Sequence, residues 1–163
     1  MLIDELKNIA RNNGIVGAGG AGFPAYAKMT EKADTVILNC VECEPLLKLH
    51  RQLLATHTEE IIQMLDEVRE SFGAKEAVIG IKSEYVTTIK AIEEVIGDFP
   101  NVRICALKAA YPMGDEVVLI YEATGRVIKP GGLPIDENVV VYNVETMYNL
   151  YRAVHCLLYT SDA

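Results

Sequence analysis

The sequence contains no tryptophan, only four cysteines and three histidines, and no long hydrophobic run. Four scattered cysteines are too few for the disulfide framework of a small secreted protein, so reduced thiols are expected. The longest apolar runs, such as residues 35–38 and 139–141, fall far short of the roughly 20 residues of a membrane span. The first ten residues are charged and amphipathic and lack the apolar core of a signal peptide. We therefore expect a cytoplasmic protein, which other subunits could attach to a membrane complex.

Positive charge is also scarce. The chain has 15 lysines and arginines against 23 aspartates and glutamates, a formal net charge of −8, and no basic stripe. A polyanion would be repelled, so nucleic-acid binding is not expected. Half of the 163 residues are hydrophobic, which is a globular composition in a chain long enough for one domain with a real core.

Hydrophobic periodicity predicts strands that alternate with helices. The predicted strands cover residues 35–39, 77–81, 102–107 and 139–142. The predicted helices cover residues 2–13, 24–29, 46–56, 58–71, 86–96, 115–124 and 144–154, and residues 129–134 are predicted to form a rigid loop. This alternation is typical of an α/β fold with helices on a largely parallel sheet.

A loop of unusual glycine density follows the first predicted helix. Gly17-Ala-Gly-Gly-Ala-Gly22 matches G-x-G-x-x-G, but the dinucleotide fingerprint requires a preceding strand, and here a helix precedes. A flexible linker is the plain alternative, yet the glycines followed by Phe23-Pro24 favour close approach of an ordered backbone to a flat or phosphorylated ligand. Backbone N–H groups, the start of the next helix and Lys28 could bind a phosphate, although Lys28 could equally be a solvated surface lysine.

A second polar cluster, Asn39-Cys-Val-Glu-Cys-Glu-Pro45, follows the first predicted strand. Open α/β sheets bind ligands at the carboxyl ends of strands. An Asn amide both donates and accepts and suits the edge of a flavin ring, and Glu42 and Glu44 could accept bonds from ribityl or ribose hydroxyls. The plain alternative is a polar turn that caps the next helix.

The same cluster contains a C-x-x-C pair, Cys40 and Cys43. A zinc site normally needs a second pair of ligands, and no suitably spaced Cys or His pair follows. The acidic Glu42 between the cysteines would raise their thiol pKa values, which is unfavourable for dithiol chemistry. Neither a metal site nor a redox dithiol is expected.

Five segments together resemble one family. They are Gly14–Lys28, Asn39–Pro45, Tyr111–Glu116, Gly131–Pro134 and Asn143–Thr146. They resemble, in the same order, motifs of the NADH-oxidising 51-kDa-type subunit of respiratory complex I. They are more similar still to the C subunit of Rnf-type ferredoxin:NAD oxidoreductases and to the cobalamin reductase of propanediol utilisation. The resemblance covers about residues 3–154.

The resemblance implies a Rossmann-like domain over residues 1–154 that holds FMN non-covalently, with NADH stacked on the flavin. FMN would accept two electrons and pass them singly to a 4Fe-4S cluster, while the protein aligns the reactants. By motif position, the residues implied to meet FMN are Gly17, Gly19, Lys28, Asn39, Glu42, Cys43, Gly114, Asp115, Val141, Asn143 and Thr146. Those implied on the NAD(H) side are Gly20, Phe23, Glu44, Tyr111 and Glu116.

The family continues into a β-grasp-like domain and a ferredoxin-type segment with cysteine repeats, and nothing in these 163 residues supplies them. We therefore expect the iron–sulfur clusters in a missing C-terminal part or in a partner. Residues 155–163 break the preceding pattern and are expected to be an atypical tail of a truncated chain.

Four positions depart from the complex I pattern. Val41 replaces an acidic residue, Cys43 a serine, Ala18 an arginine, and Tyr142 an Asn or Gln; cysteine at position 43 is usual in the Rnf-like branch. Loss of polar contacts at positions 41 and 142 keeps a second hypothesis open, a non-catalytic adaptor that retains the fold but has lost flavin.

Overall fold

The computed structural model describes residues 1–18, 22–44 and 46–156. Its strands are β1 (Thr35–Cys40), β2 (Glu76–Lys82), β3 (Val102–Leu107) and β4 (Val139–Asn143). Its helices are α1 (Ile3–Asn12), α2 (Leu49–Thr56), α3 (Thr58–Phe72), α4 (Val86–Val95), α5 (Glu116–Thr124) and α6 (Val144–His155), with 3-10 turns at Ala25–Lys28, Ile96–Asp98 and Pro134–Glu137. The predicted alternation of strands and helices is confirmed. Among the described helices, none has the length and apolar character needed to cross a membrane.

All four strands are parallel and lie in the order β3-β2-β1-β4. The chain therefore moves outward from β1 to β2 and β3, and then returns to add β4 on the other side of β1. This reversal makes the boundary between β1 and β4 the topological switch point, where the connections leave the sheet in opposite directions. The register of this pair places Asn39 beside Asn143 at the carboxyl ends of the two strands.

Alternation along the strands divides the core into two clusters. Val36 and Leu38 of β1 pack with buried side chains from α1, α2, α3, α4 and α6, whereas Ile37 packs on the opposite face with α5. Successive strand residues point to opposite faces, so both faces of β1 are apolar and buried. The result is a sheet between two helical layers of unequal size.

The short helix predicted for residues 24–29 is a 3-10 turn at Ala25–Lys28, several element ends differ by one residue, and other boundaries differ as follows. The helix expected from residue 46 begins at Leu49, because the Glu42 carboxylate accepts a hydrogen bond from the His50 N–H at 2.8 Å and fixes the helix start there. The predicted loop at 129–134 leads into a 3-10 turn, in which the Asp136 carboxylate accepts from the Leu133 N–H at 2.8 Å. The last helix continues to residue 155, and residues 157–163 of the expected tail lie outside the described residues.

Gly80 of β2 allows the packing of the smaller helical layer against the sheet to be tested. A Cβ at this position would lie 2.5 Å from Cδ1 of Leu119, which is itself fully buried on α5. We expect Gly80→Ala to lower the free energy of unfolding by about 1–3 kcal/mol, because the core is overpacked. Gly97→Ala, where an added Cβ meets open space, is the control, and urea denaturation of both variants measures the difference. Equal stability of the two variants would contradict this packing.

Candidate functional site

A cleft of about 190 Å³ lies at the carboxyl ends of β1 and β4. Its lining residues come from the glycine loop, the two strand ends and the first turns of α5 and α6: Gly17, Ala18, Phe23, Ala25, Lys28, Asn39, Glu116, Val141, Tyr142, Asn143 and Thr146. The structure therefore brings together the two segments that the sequence singled out, Gly14–Lys28 and the residues that begin at Asn39. Their meeting point is the switch point of the sheet, where open α/β folds bind ligands.

The glycine loop is closed at its base by backbone hydrogen bonds. The Gly17 N–H donates to the Phe23 carbonyl at 2.8 Å, and the Ala25 N–H donates to the Ile15 carbonyl at 3.0 Å. Gly22 has a φ of 68°, a left-handed conformation that glycine adopts at little cost. These bonds hold the described part of the loop as an ordered hairpin, as expected from the apolar residues around it. Gly19 and Gly20 lie outside the described residues.

Two side chains at the start of α6 fix the loop to the sheet. Asn143 is the N-cap of α6 and accepts from the Thr146 N–H at 2.8 Å, while its amide N–H donates to the Ala18 carbonyl. The Thr146 hydroxyl donates to Oδ1 of Asn143 at 2.7 Å and accepts from the Ala18 N–H at 3.0 Å. The positive end of the α6 dipole thus lies beside the loop, an arrangement that favours an anion in the cleft.

Lys28 extends across the cleft from the 3-10 turn after the glycine loop. Its ammonium group donates to the Glu116 carboxylate at 3.2 Å and to the Val141 carbonyl at 3.2 Å. Both charged side chains are more than one-third exposed, at 36% and 39%. Among the described residues that line the cleft, these two are the charged ones. Lys28 is therefore held at the cleft by two hydrogen bonds and is not a purely solvated surface lysine.

Asn39 joins the end of β1 to the loop before α5. Its side-chain carbonyl accepts from the Val41 N–H at 2.9 Å, and its amide donates to the Gly114 carbonyl at 3.1 Å. A Cβ at Gly114 would clash with the Val41 carbonyl and lie 2.7 Å from the Cys43 sulfur. Only glycine permits this close approach, so Gly114, Val41 and Cys43 form one packed wall next to the cleft.

Tyr142 lines the cleft, at the position where the resemblance implied an Asn or Gln. Its side chain is buried among the larger helical layer, and its hydroxyl donates to the Ala25 carbonyl at 3.2 Å. Burial raises the pKa of the Tyr142 hydroxyl well above its ordinary value, so the group stays protonated. Tyr142 therefore supports the turn that bears Lys28, and its hydroxyl is committed to that contact.

Glu42 occupies a different environment from the one expected of a ligand-binding carboxylate. Its side chain is 3% exposed and faces α2, with Oε1 bonded to the His50 N–H and Oε2 3.7 Å from Nε of Arg51. Oε2 has no hydrogen-bond partner among the described residues. Lys82 donates to the Glu42 backbone carbonyl at 2.8 Å. The carboxylate thus caps the next helix, which is the alternative that the sequence left open, and it does not line the cleft.

Three further predicted residues lie outside the described lining of the cleft. Asp115 is the N-cap of α5 and accepts from the backbone N–H groups of Val117 and Val118 at 3.0 and 3.3 Å. Glu44 and Tyr111 project into solvent, with Tyr111 85% exposed. The Tyr111 ring and the Glu44 carboxylate are thus accessible from solvent, and neither lines either cavity.

A larger cavity of about 520 Å³ adjoins the first along the outer edge of β4. The two cavities share Phe23, Lys28, Glu116 and Val141. The remaining lining of the larger cavity was not predicted and comprises Ala27, Met29, Thr30, Lys32, Leu133, Pro134, Ile135, Val139 and Val140. The only sequence signal for it was the Gly131–Pro134 motif, which marked the segment without assigning a role.

The C-x-x-C cysteines lie in different environments. Cys40 is fully buried in the larger cluster, where burial raises the pKa of its thiol, whereas the Cys43 sulfur lies against Gly114. Within the described part of the chain, no group of three or more His, Cys, Asp or Glu side chains is arranged to hold a metal ion. Cys40 thus belongs to the packed core, and Cys43 packs beside Gly114.

Several known proteins are similar to this chain in sequence. The Nuo51 FMN-binding domain family matches residues 10–152. The cobalamin reductase PduS of Citrobacter freundii is 40% identical over 149 residues, which are 91% of this chain and 33% of that protein. The C subunit of the Na⁺-translocating ferredoxin:NAD⁺ oxidoreductase complex of Acetobacterium woodii is 37% identical over 147 residues, 88% of this chain and 33% of the relative. The chain thus spans about a third of the length of these relatives.

A solved structure of similar fold is the NAD⁺-reducing [NiFe]-hydrogenase in its air-oxidised state. It matches with a TM-score of 0.79 and 25% identity over 94% of this chain and 30% of the hydrogenase chain. The fold, the motif order and the match over residues 10–152 agree. This chain belongs to the Nuo51 FMN-binding domain family.

Proposed function

We propose that this chain is the flavin- and NAD(H)-binding module of an electron-transfer oxidoreductase. Its cleft binds FMN, and the adjoining cavity receives part of NAD(H). The observation that supports this most directly is the convergence of three features at the switch point: the glycine loop, the Lys28 ammonium group and the N-terminus of α6. Together they form a site for a phosphate attached to a larger ligand.

The residues present fit the two ends of FMN. Lys28 and the first turn of α6 supply positive potential for the phosphate, and Ala18 and Thr146 bring polar groups to the same end. Asn39 supplies hydrogen-bonding groups for the ring, and Val41, Cys43 and Gly114 pack behind it. The first cavity, at about 190 Å³, is smaller than a typical ligand pocket of roughly 300–1,000 Å³. In this proposal FMN is larger than the first cavity and therefore extends beyond it.

When bound, FMN supplies the hydride acceptance from NADH and the delivery of single electrons. The chain's own task is to hold the phosphate, orient the ring and place the nicotinamide against it. Phe23 and Glu116 line both cavities, so they are suited to contact the second ligand. Tyr111 and Glu44, both exposed, are assigned to the NAD(H) side of this proposal by motif position.

The electrons then leave to an iron–sulfur acceptor in another part of the protein or in a partner subunit. The names of the relatives, a cobalamin reductase and a ferredoxin:NAD⁺ oxidoreductase subunit, support an electron route between this module and a further redox centre. In this proposal residues 1–154 are the module, and attachment to a membrane complex takes place through other subunits.

The adaptor hypothesis rests on Val41 and Tyr142. Both side chains are buried and serve packing, so their identity leaves the phosphate end of the cleft intact. The two hypotheses are separated by titrating the purified protein with FMN. A flavin module binds FMN at micromolar concentration and shows bleaching of the visible flavin absorbance when NADH is added. An adaptor leaves the FMN spectrum unchanged.

Lys28→Ala tests the phosphate end. A charge-assisted hydrogen bond contributes about 1.5–3 kcal/mol, so we expect the Kd of FMN to rise about tenfold or more. Riboflavin, which lacks the phosphate, is expected to bind both proteins equally. Lys90→Ala, an exposed lysine on α4, makes the same charge change away from the cleft. Fluorescence quenching titrations measure all three proteins, and unchanged FMN binding by Lys28→Ala would reject this role.

Gly114→Ala tests the ring end. The added Cβ displaces the wall at Val41 and Cys43, so we expect FMN and riboflavin to lose affinity by the same factor, because the phosphate contacts remain. Gly97→Ala, which meets open space, is the matched control. A loss confined to FMN would show that Gly114 lies at the wrong end of the cleft for this proposal.

A further inference from the structure

The Lys28–Glu116 ion pair lies at the junction of the two cavities. The two side chains line both cavities and are joined at 3.2 Å. Lys28 is held on its other side by the Val141 carbonyl, which faces the same junction. The positive charge available to a phosphate in the first cavity is therefore already neutralised by a carboxylate that also faces the second.

We propose that this ion pair is an exchange switch that couples the two cavities, an inference that rests on the proposed function. A phosphate that enters the first cavity replaces Glu116 as the ion-pair partner of Lys28. The released carboxylate then accepts hydrogen bonds from the hydroxyl groups of a nucleoside in the second cavity. Without the first ligand, Glu116 remains paired and the second cavity lacks its acceptor.

The strengths of the competing contacts allow the exchange. The pair is more than one-third exposed on both sides, and such ion pairs are weak and screened. A phosphate presents more charge and more acceptor oxygens than one carboxylate, so a phosphate bound nearby displaces Glu116 from Lys28. Linkage then requires that the two ligands strengthen each other's binding by the same factor.

The first test removes the competitor. In Glu116→Gln the lysine is no longer neutralised, so we expect the Kd of FMN to fall about twofold to fivefold, the range for releasing a half-exposed ion pair. The Kd of riboflavin is expected to stay unchanged. Glu122→Gln, an exposed glutamate on the same helix, makes the same charge change outside both cavities and is expected to alter neither flavin.

The second test separates the ion pair from general electrostatics. Removing any nearby negative charge would favour an anion, and that effect would persist without Lys28. The proposal instead requires that Glu116→Gln has no further effect on FMN binding once Lys28→Ala is present. A double-mutant cycle of isothermal titrations with FMN measures this non-additivity.

The third test follows the second cavity with ADP-ribose, which has no nicotinamide to stack on the flavin. FMN is expected to lower the Kd of ADP-ribose about twofold to fivefold in the wild type, the same range as for the ion pair, and to have no effect in Glu116→Gln. Additive mutations, an equal effect of Glu116→Gln on FMN and riboflavin, or FMN-independent binding of ADP-ribose would each overturn the switch. They would leave flavin binding itself intact, whereas failure of the wild type to bind FMN would remove the proposed function.

Discussion

A single side chain, Asn143, joins three of the parts of the molecule that form the cleft: β4, α6 and the glycine loop. It ends β4, caps α6 through the Thr146 N–H and holds the glycine loop at the Ala18 carbonyl. Because the cap orients α6, the positive end of the helix dipole faces the loop. The loop is also held by the Ala18 N–H, which donates to the Thr146 hydroxyl, and at its base by the bonds between residues 15–17 and 23–25. The geometry of the site thus depends on one amide whose donor and acceptor are both in use.

On the opposite wall of the cleft, Asn39 connects separate segments in the same way. Asn39 ends the neighbouring strand and connects the Val41 turn to the Gly114 loop. Behind this turn, the buried Glu42 carboxylate fixes the start of α2, and Lys82 holds its backbone carbonyl. One oxygen of this buried carboxylate has no hydrogen bond among the described residues and lies 3.7 Å from Nε of Arg51, while the other connects the wall to the helix. Two asparagines at paired strand ends therefore hold the two sides of one cleft.

The charged side chains of the cleft, Lys28 and Glu116, form an ion pair with each other. The chain has a net charge of −8, yet the described lining of the first cavity contains one lysine and one glutamate, paired with each other. In the proposed exchange, an anion in the first cavity replaces Glu116 as the partner of Lys28, and the displaced carboxylate faces the adjoining cavity, which it also lines. Family membership, the switch-point location and this pairing are consistent with a module that handles two ligands in contact.

The sequence by itself determined the order of strands and helices, because hydrophobic periodicity and glycine or proline at element ends are local properties. It also identified the glycine loop and the Asn39 segment, since their composition was unusual wherever the chain might place them. Tertiary structure alone decided that β4 lies beside β1, that the Lys28 ammonium group reaches a carboxylate 88 residues away, and that the Glu42 side chain turns from the cleft to α2. Such contacts depend on strand order and on the packing of distant segments, and no local pattern encodes them.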